Sequence, residues 1–338
     1  MELREIGEFG FIRRVSRGCL IRADGVERAI GDDAAAFIVP SDRLTLVTTD
    51  LLVERVHFLR DATTPFNLGH KAMAVNLSDI AAMGGTPREA FVSTAIPEGC
   101  PVEYLDELYD GMKRLAARCD VNILGGDTTA SAADLILNVT VIGHVRRGEV
   151  LYRSGAKPGD AVCVTGPVGD SRAGLHFVLR GVEPPDAAMR RLFDAHILPR
   201  PHLEEGRFLA ATGAATAALD VSDGLSSDLV HIVEESRVGI RVHADLIPIS
   251  PELREFCARF GKDPVRFALS GGEDYVLAVT VAAGRFDEVA RGFAARFGRQ
   301  LYRIGEATDA GGLELVMPDG TLEAVGATGW DHFGAHDA

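Results

Sequence analysis

Asp79 stands three residues after Asn76 in Lys71-Ala-Met-Ala-Val-Asn76-Leu-Ser-Asp79-Ile-Ala-Ala-Met-Gly84-Gly85. That spacing sets both side chains on one face of a helix. The neighbours are alanine, methionine, leucine and isoleucine, so much of this helix is expected to be buried. An aspartate in such surroundings has to be hydrogen-bonded, paired with a cation or bound to a metal. A polar network that fixes helix packing would account for an isolated Asn/Asp pair. This pair has company. Five further stretches carry acids beside glycine and hydroxyl residues: Asp32/Asp33, Thr48/Thr49/Asp50, Asp127/Thr128, Asp220/Ser222/Asp223 and Glu273/Asp274. They have no matching lysines or arginines beside them. Hard oxygen ligands suit Mg²⁺, which usually holds a few carboxylates, waters and substrate phosphates. Glycines let a backbone come close to phosphate oxygens. The pattern fits a Mg-nucleotide enzyme. A calcium-stabilised binding module and a protein merely rich in Asx turns fit the same residues, although EF-hand spacing is absent.

Chain length and composition set limits on these readings. At 338 residues the chain suits two domains, each with its own core. A hydrophobic content of 46% is that of a soluble globular protein. The net charge of −14 argues against a general nucleic-acid binder. Cys19, Cys100, Cys119, Cys163 and Cys257 are odd in number and scattered, without a C-x-x-C pair. They predict a reducing compartment and neither a disulfide framework nor a zinc site. The charged N-terminus lacks the apolar core of a signal peptide, and no apolar run is long enough to span a bilayer. A cytoplasmic protein with no membrane partner is expected.

The elements that must position the acids can be taken in order. A short helix over 9–15 and a basic loop precede Gly31-Asp32-Asp33, which reads as a turn. Residues 44–50 alternate as a strand ending in Thr48, Thr49 and Asp50. Asp50 could simply cap the next turn there. His57 is a lone histidine, a type more often structural than catalytic. The Asn76/Asp79 helix starts near Pro65, a favoured first-turn residue. A strand over 89–96 and an amphipathic helix over 101–118 follow, with Leu105, Leu108, Met112 and Leu115 on the core face. Tyr109 lies at the edge of that stripe and could be core or a cleft aromatic. Residues 121–129 read as a strand running into a glycine turn with Gly126 and Asp127, and 135–145 as another strand. The first half is thus β, helix, β, helix, β, β, its aspartates at strand ends or turns apart from Asp79.

A polar stretch rich in Gly and Pro over 146–158 predicts a domain boundary. Domains over 1–147 and 148–338 are expected. In the second, Gly166-Pro-Val-Gly169-Asp170-Ser171 is a strand-to-helix turn that could bind an anion at the helix N-terminus. It is not a Walker A loop, because no Gly-Lys-Ser/Thr follows. Residues 181–200 read as an exposed linker and helix. A strand over 217–220 runs into Asp220-Val-Ser222-Asp223-Gly224, then a helix over 226–235. Leu269-Ser-Gly-Gly-Glu273-Asp274-Tyr275 leads into a strand over 276–280. A helix over 285–297 and strands near 300–305 and 313–317 complete an α+β domain after an α/β one.

Taken in order, a set of motifs covers nearly the whole chain: Gly7-Glu8-Phe9-Gly10, Gly31-Asp32-Asp33, Thr49-Asp50, His57-Phe58, Asn76-Leu-Ser-Asp79-Ile-Ala-Ala-Met-Gly84, Gly125-Gly126-Asp127-Thr128-Thr129, Arg153-Ser-Gly155-Ala156-Lys-Pro-Gly-Asp160, Ser222-Asp223-Gly224-Leu225, Leu269 to Tyr275, and Trp330-Asp331-His332-Phe333. In these the chain resembles the thiamine-monophosphate kinases, of the aminoimidazole-ribonucleotide-synthetase-like superfamily. That family usually has tyrosine where Trp330 stands, and either residue supplies a flat ring.

The resemblance implies a two-domain, homodimeric enzyme that phosphorylates thiamine monophosphate to thiamine diphosphate with ATP. It implies that several Mg²⁺ are held by Asp33, Thr48, Thr49, Asp50, Asp79, Asp127, Asp220 and Asp223, with Asp33, Asp79, Asp127 and Asp223 closest to the chemistry. It implies ATP contacts from Tyr109, Gly126, Asp127, Arg153 and Ser222, and substrate contacts from His57, Glu273 and Trp330. Tyr109 is placed only by its distance ahead of Asp127. Trp330 could instead anchor the tail on the core, as a buried tryptophan often does. Other ATP-using enzymes of the superfamily and a non-catalytic Mg-nucleotide module are the alternatives. Selenophosphate synthetases need a reactive cysteine or selenocysteine in a glycine-rich N-terminal segment, where this chain has only Cys19.

Overall fold

The computed structural model describes residues 3–329. They form two compact units. One comprises the chain up to Ile80 together with Gly85–Gly148; the other comprises Ala81–Gly84 and the chain from Glu149 on.

In the first unit the order is α1 (Leu3–Val15), β1 (Val26–Arg28), β2 (Ala36–Phe37), β3 (Arg43–Val53), α2 (Pro65–Ala82), β4 (Thr86–Pro97), α3 (Val102–Arg118), β5 (Asn122–Ser131) and β6 (Ile136–Arg146). Four strands make one sheet in the order β3-β6-β4-β5, with β4 and β5 parallel and the other pairs antiparallel. β1 and β2 form a separate ribbon. The β-α-β-α-β-β order of the main elements is the one the periodicity predicts.

The long central helix α2 starts at Pro65 and stops at the glycine pair: Gly84 takes a φ of +70°, and the Gly85 amide bonds back to the Ile80 carbonyl at 2.8 Å. Between these ends, Leu68, Ala72, Met73, Leu77 and Ile80 are buried. α3 buries the expected stripe of Leu105, Leu108, Met112 and Leu115, and Tyr109 with them. The two helices meet at glycines. A Cβ on Gly69 would lie 1.9 Å from the Leu108 carbonyl oxygen, and one on Gly111 would lie 1.9 Å from that of Phe66. Only residues without a side chain allow the backbones this close.

Two strand readings change. β3 does not end at Asp50; it runs on because Leu51, Leu52 and Val53 pair with Asn138, Leu137 and Ile136. Gly125-Gly126-Asp127 is no turn; it lies inside β5, against β4. A Cβ on Gly126 would sit 1.7 Å from the Val92 carbonyl oxygen, so the glycine serves strand packing next to a bulge at Ala90/Phe91. Asp50 and Asp127 are therefore mid-strand residues, each assigned by alternation to a face of the sheet.

The second unit runs β7 (Ala161–Val164), α4 (Asp170–Arg180), α5 (Ala187–Ile197), α6 (Leu203–Ala211), β8 (Ala215–Asp220), α7 (Leu225–Ser236), β9 (Gly239–His243), α8 (Pro251–Phe260), α9 (Pro264–Ser270), β10 (Leu277–Val281), α10 (Phe286–Phe297), β11 (Tyr302–Thr308), β12 (Gly312–Val316) and β13 (Leu322–Val325). Its seven strands lie in the order β13-β12-β9-β11-β7-β10-β8, with only β12–β9 parallel. Residues 181–200 are not merely an exposed linker and helix: α5 buries Met189, Leu192, Phe193, His196 and Ile197. Gly174 of α4 lets it approach α5, since a Cβ there would meet the Leu192 carbonyl oxygen at 2.2 Å. Asp160 is a structural acid. It accepts from the Lys157 amide at 2.9 Å, the Thr216 hydroxyl at 2.7 Å and the Ala283 amide at 3.2 Å. Among the described residues no helix is long and apolar enough to cross a membrane.

Candidate active site

In the first unit, strand alternation turns Thr48 and Asp50 toward the face that α2 covers, and Thr49 and Leu51 toward the opposite, open face. The Thr48 hydroxyl donates to Asp79 Oδ2. Burial, and then the charge of Asp79, push the Asp50 carboxyl up to about 7. No cation offsets either effect at Asp50 among the described residues. One turn before Asp79, Asn76 is fully buried; its Nδ2 donates to the Ala72 carbonyl at 3.2 Å, and its Oδ1 has no partner among the described residues. Two carboxylates, a hydroxyl and an orphaned amide oxygen on one helix–sheet contact are the donor set of a hard divalent cation.

Asp127 is not part of that group. In register, Asp50, Val139, Val92 and Gly126 share one row, whereas Asp127 shares its row with Leu51, Asn138 and Ser93. Asp127 thus points to the open face. It also lies three strand spacings from β3, about 14 Å. Thr49, on that same open face, contacts Asn138 Oδ1 at 3.2 Å and Thr140 Oγ1 at 3.0 Å. Asp33 is exposed in a bend, its amide on Asp32 Oδ1 at 3.0 Å, while Asp32 pairs with Arg28 at 3.3 Å. Among the described residues no three His, Cys, Asp or Glu side chains close on one point as a full protein cage. Mg²⁺ does not need one, because waters and phosphates fill its remaining positions.

His57 is tied to the end of β3: its Nδ1 accepts from the Val53 amide at 3.0 Å. A neutral ring there carries its proton on Nε2. Of the two readings of Tyr109, its surroundings match the core one. It is 5% exposed, stands edge-on to Phe11 with ring centroids 5.9 Å apart, and burial pushes its hydroxyl up to about 12. It packs in the core of the unit from α3.

In the second unit a further set of acids surrounds two loops. Asp220 closes β8, Asp223 stands in the turn that follows, and α7 begins after Gly224. Asp228, one turn into α7, accepts from the Gly224 amide at 3.0 Å. Burial, with Asp220 and Asp223 adding to it, pushes its carboxyl up to about 8. The loop before β10 lies along this turn: the Glu273 amide donates to the Ser222 carbonyl at 2.7 Å and the Tyr275 amide to that of Val221 at 2.8 Å. Glu273 and Tyr275 take φ values of +63° and +52°, a conformation that persists only where surrounding contacts hold it. The Glu273 carboxylate lies 3.2 Å from His196 Nδ1.

The α4 N-terminus, which could have bound an anion, is already filled. Asp274 accepts from the Gly169 amide at 2.5 Å and the Ser171 amide at 3.1 Å, so the chain's own carboxyl takes the place a phosphate would need. Burial raises the Asp274 carboxyl well above its ordinary range despite these bonds.

Arg153 has an exposed side chain and a fixed backbone: Ser236 Oγ donates to its carbonyl and accepts from the Gly155 and Ala156 amides, all at 3.1 Å. Trp330 lies outside the described residues. The residues just before it are docked on the α7 start, with Thr328 Oγ1 2.8 Å from Ser226 Oγ and the Gly329 amide 2.8 Å from Ser227 Oγ. Asp228 and His196 are the residues that sequence reasoning missed, whereas Asp274 and Ser171 stand in stretches it singled out without pairing them. Asp274 had a visible signal in its place directly after Glu273. His196, a lone histidine on an apolar helix face, had none.

Residues 31–145 match the family of AIR synthase related protein, N-terminal domain, and residues 157–318 the corresponding C-terminal domain. A thiamine-monophosphate kinase of Salmonella typhimurium is 39% identical over 97% of this chain and 98% of its own. The crystal structure of thiamine-monophosphate kinase from Stenotrophomonas maltophilia K279a is 37% identical, with a TM-score of 0.83 over 95% of this chain and 98% of that one. An Aquifex aeolicus relative of the same name is 35% identical over 98% of this chain and 100% of its own. A further structure, AaThiL complexed with AMPPCP and TMP, is 33% identical with a TM-score of 0.79 and covers 98% of this chain and 99% of that one. The two-domain match and the near full-length identity agree with the motif order, and the chain belongs to the thiamine-monophosphate kinase family of AIR synthase related proteins.

Proposed function

We propose that this chain transfers the γ-phosphoryl group of ATP directly and in line to thiamine monophosphate, giving thiamine diphosphate and ADP. The observation that carries the reading is the Asp50–Asp79 pair, two carboxylates held together in a family of phosphotransferases with no cation among the described residues to offset Asp50. The acceptor is a phosphate oxygen, already ionised at neutral pH. It needs no general base. What the site must do is bring two polyanions together, and that depends on alignment and charge neutralisation.

Thr48, Asp50 and Asp79 would hold one Mg²⁺, with Asp33, Thr49, Asp127, Asp220 and Asp223 as ligands at further positions. When bound, magnesium neutralises phosphate charge and orients the reacting oxygens. Asp127, on the other face of its sheet, serves a different ion from Asp50. Gly126, Ser222 and the exposed Arg153 contact the nucleotide. His57, Glu273 and Trp330 hold the thiamine phosphate. Release of ADP is expected to require both thiamine monophosphate and Mg²⁺. ADP release that ignores thiamine monophosphate would reject the acceptor, and Mg-ATP binding without turnover would make the chain a nucleotide-binding module.

A homodimer belongs to the same reading. The open face of the four-stranded sheet carries Val47 at 65% and Leu51 at 52% exposure, a large apolar share for surface strand residues. A second copy of the chain laid there would bury them. Light scattering at micromolar concentration should give twice the chain mass, and Val47→Glu should shift it toward the single-chain mass; a monomeric wild type would refute the assignment. Among the described residues the five cysteines form no disulfide, and the charge is −14, in keeping with a cytoplasmic enzyme that has neither nucleic-acid nor membrane partners.

A further inference from the structure

We infer that His196 is a positioning residue that, together with Ser171, fixes the Glu273 carboxylate for the cationic thiamine half of the substrate. The inference rests on the reading that Glu273 holds substrate. His196 is 5% exposed on the inner face of α5, and Ser171 is 1% exposed at the start of α4. His196 Nδ1 lies 3.0 Å from Ser171 Oγ and 3.2 Å from Glu273 Oε2. A lone pair on Nδ1 would face the carboxylate's own lone pairs. The carboxylate therefore selects the form with a proton on Nδ1, and that N–H donates toward Glu273.

The surroundings show why such a hold is needed. Glu273 sits in left-handed backbone between two glycines and a half-buried aspartate, on a loop that carries no helix or strand of its own. Its amide is fastened to Ser222 and its neighbour Asp274 to the α4 N-terminus, so the backbone is anchored on both sides. A carboxylate at the end of a flexible side chain still has rotamers to choose from. The buried imidazole removes that choice, while 29% of the Glu273 side chain stays open to solvent. A fixed, partly exposed carboxylate suits a positively charged heteroaromatic ligand, for which ordering in advance lowers the cost of binding.

The test is a double-mutant cycle read by steady-state kinetics of the full-length enzyme with thiamine monophosphate and Mg-ATP. His196→Phe keeps the ring and removes the N–H. It should raise KM for thiamine monophosphate roughly tenfold, the loss expected for one hydrogen bond to a charged group. KM for ATP and kcat should stay within about twofold. His196→Asn, whose amide reaches the Nδ1 position, should restore most of the affinity. Glu273→Gln should raise the same KM, and adding His196→Phe to it should cost little more. Because His196 is buried, Ser171→Ala gives a milder probe, with a smaller rise in the same constant; circular dichroism checks the fold of each variant. If folded His196→Phe and Ser171→Ala leave KM for thiamine monophosphate unchanged while Glu273→Gln raises it, the positioning role is wrong. Equal rises in both KM values, or full additivity, would also overturn it. If Glu273→Gln itself has no effect, the substrate role of Glu273 fails first and the inference falls with it.

Discussion

Asp79→Asn is expected to lower kcat by about 1,000-fold or more, the scale of losing a principal charge-stabilising group in the transition state. The same change should leave the metal-free protein folded and more stable than wild type. Asparagine keeps the volume of the side chain and can still accept from the Thr48 hydroxyl. It loses the charge that a divalent cation needs. Stability moves the other way because Asp79 is the second cause, after burial, of the raised Asp50 carboxyl. Asp50 titrates near its ordinary 3.8 in the unfolded chain and at about 7 in the metal-free fold. Its contribution to stability is therefore fully present below about pH 4 and is lost as pH rises toward 7. Removing the Asp79 charge shrinks that loss, on the order of 1 kcal/mol at neutral pH. Melting temperatures from pH 4 to 8 in EDTA should converge at the acid end and separate at the neutral end, with the variant higher. Added Mg²⁺ should stabilise the wild type at neutral pH and the variant little. Near-normal turnover by Asp79→Asn at millimolar Mg²⁺ would remove Asp79 from the metal set.

How much of this was legible in the sequence differs between strands and side chains. The alternation of β3 and the apolar periodicity of α2 and α3 gave the order of the first unit, because each element has one buried face. The Asn76/Asp79 spacing put the carboxylate on the correct helix. Sequence could not show that Thr48 and Asp50 face it while Asp127 faces away, since that depends on register across four strands. Gly126 misled for a physical reason: a glycine that reads as a turn can equally mark the close approach of a neighbouring strand. Tyr109 stayed open between core and cleft because the edge of a helical stripe is core or surface according to what packs on it, here Phe11. In the second unit α6 and β9 carry no strong pattern, α8 and α9 went unread although Ser250-Pro251 and Asp263-Pro264 mark their starts, and the α4 N-terminus looked open because its partner, Asp274, lies 105 residues from Gly169.

Trp330→Ala is expected to raise KM for thiamine monophosphate roughly 30-fold, about 2 kcal/mol, as for loss of a tryptophan hot spot. KM for ATP should stay near wild type. Trp330 is the only tryptophan of the chain, so its emission reports one place. Thiamine monophosphate should change that emission saturably, and ATP alone far less. The approach to Trp330 gives the argument its structural footing. Thr328 and Gly329 are bonded to Ser226 and Ser227 at the start of α7, and a Cβ on Gly329 would lie 2.0 Å from the Asp223 carbonyl oxygen. Only glycine lets the chain pass so close to the loop that carries Asp223. Gly329→Val must therefore displace the segment without touching the indole itself. It should reproduce the Trp330→Ala increase in KM and abolish the emission response, while Trp330→Tyr, which keeps a flat ring, should retain most of the affinity. A tryptophan that only anchored the tail would behave differently: its emission would ignore thiamine monophosphate, and the alanine variant would weaken ATP and thiamine phosphate alike.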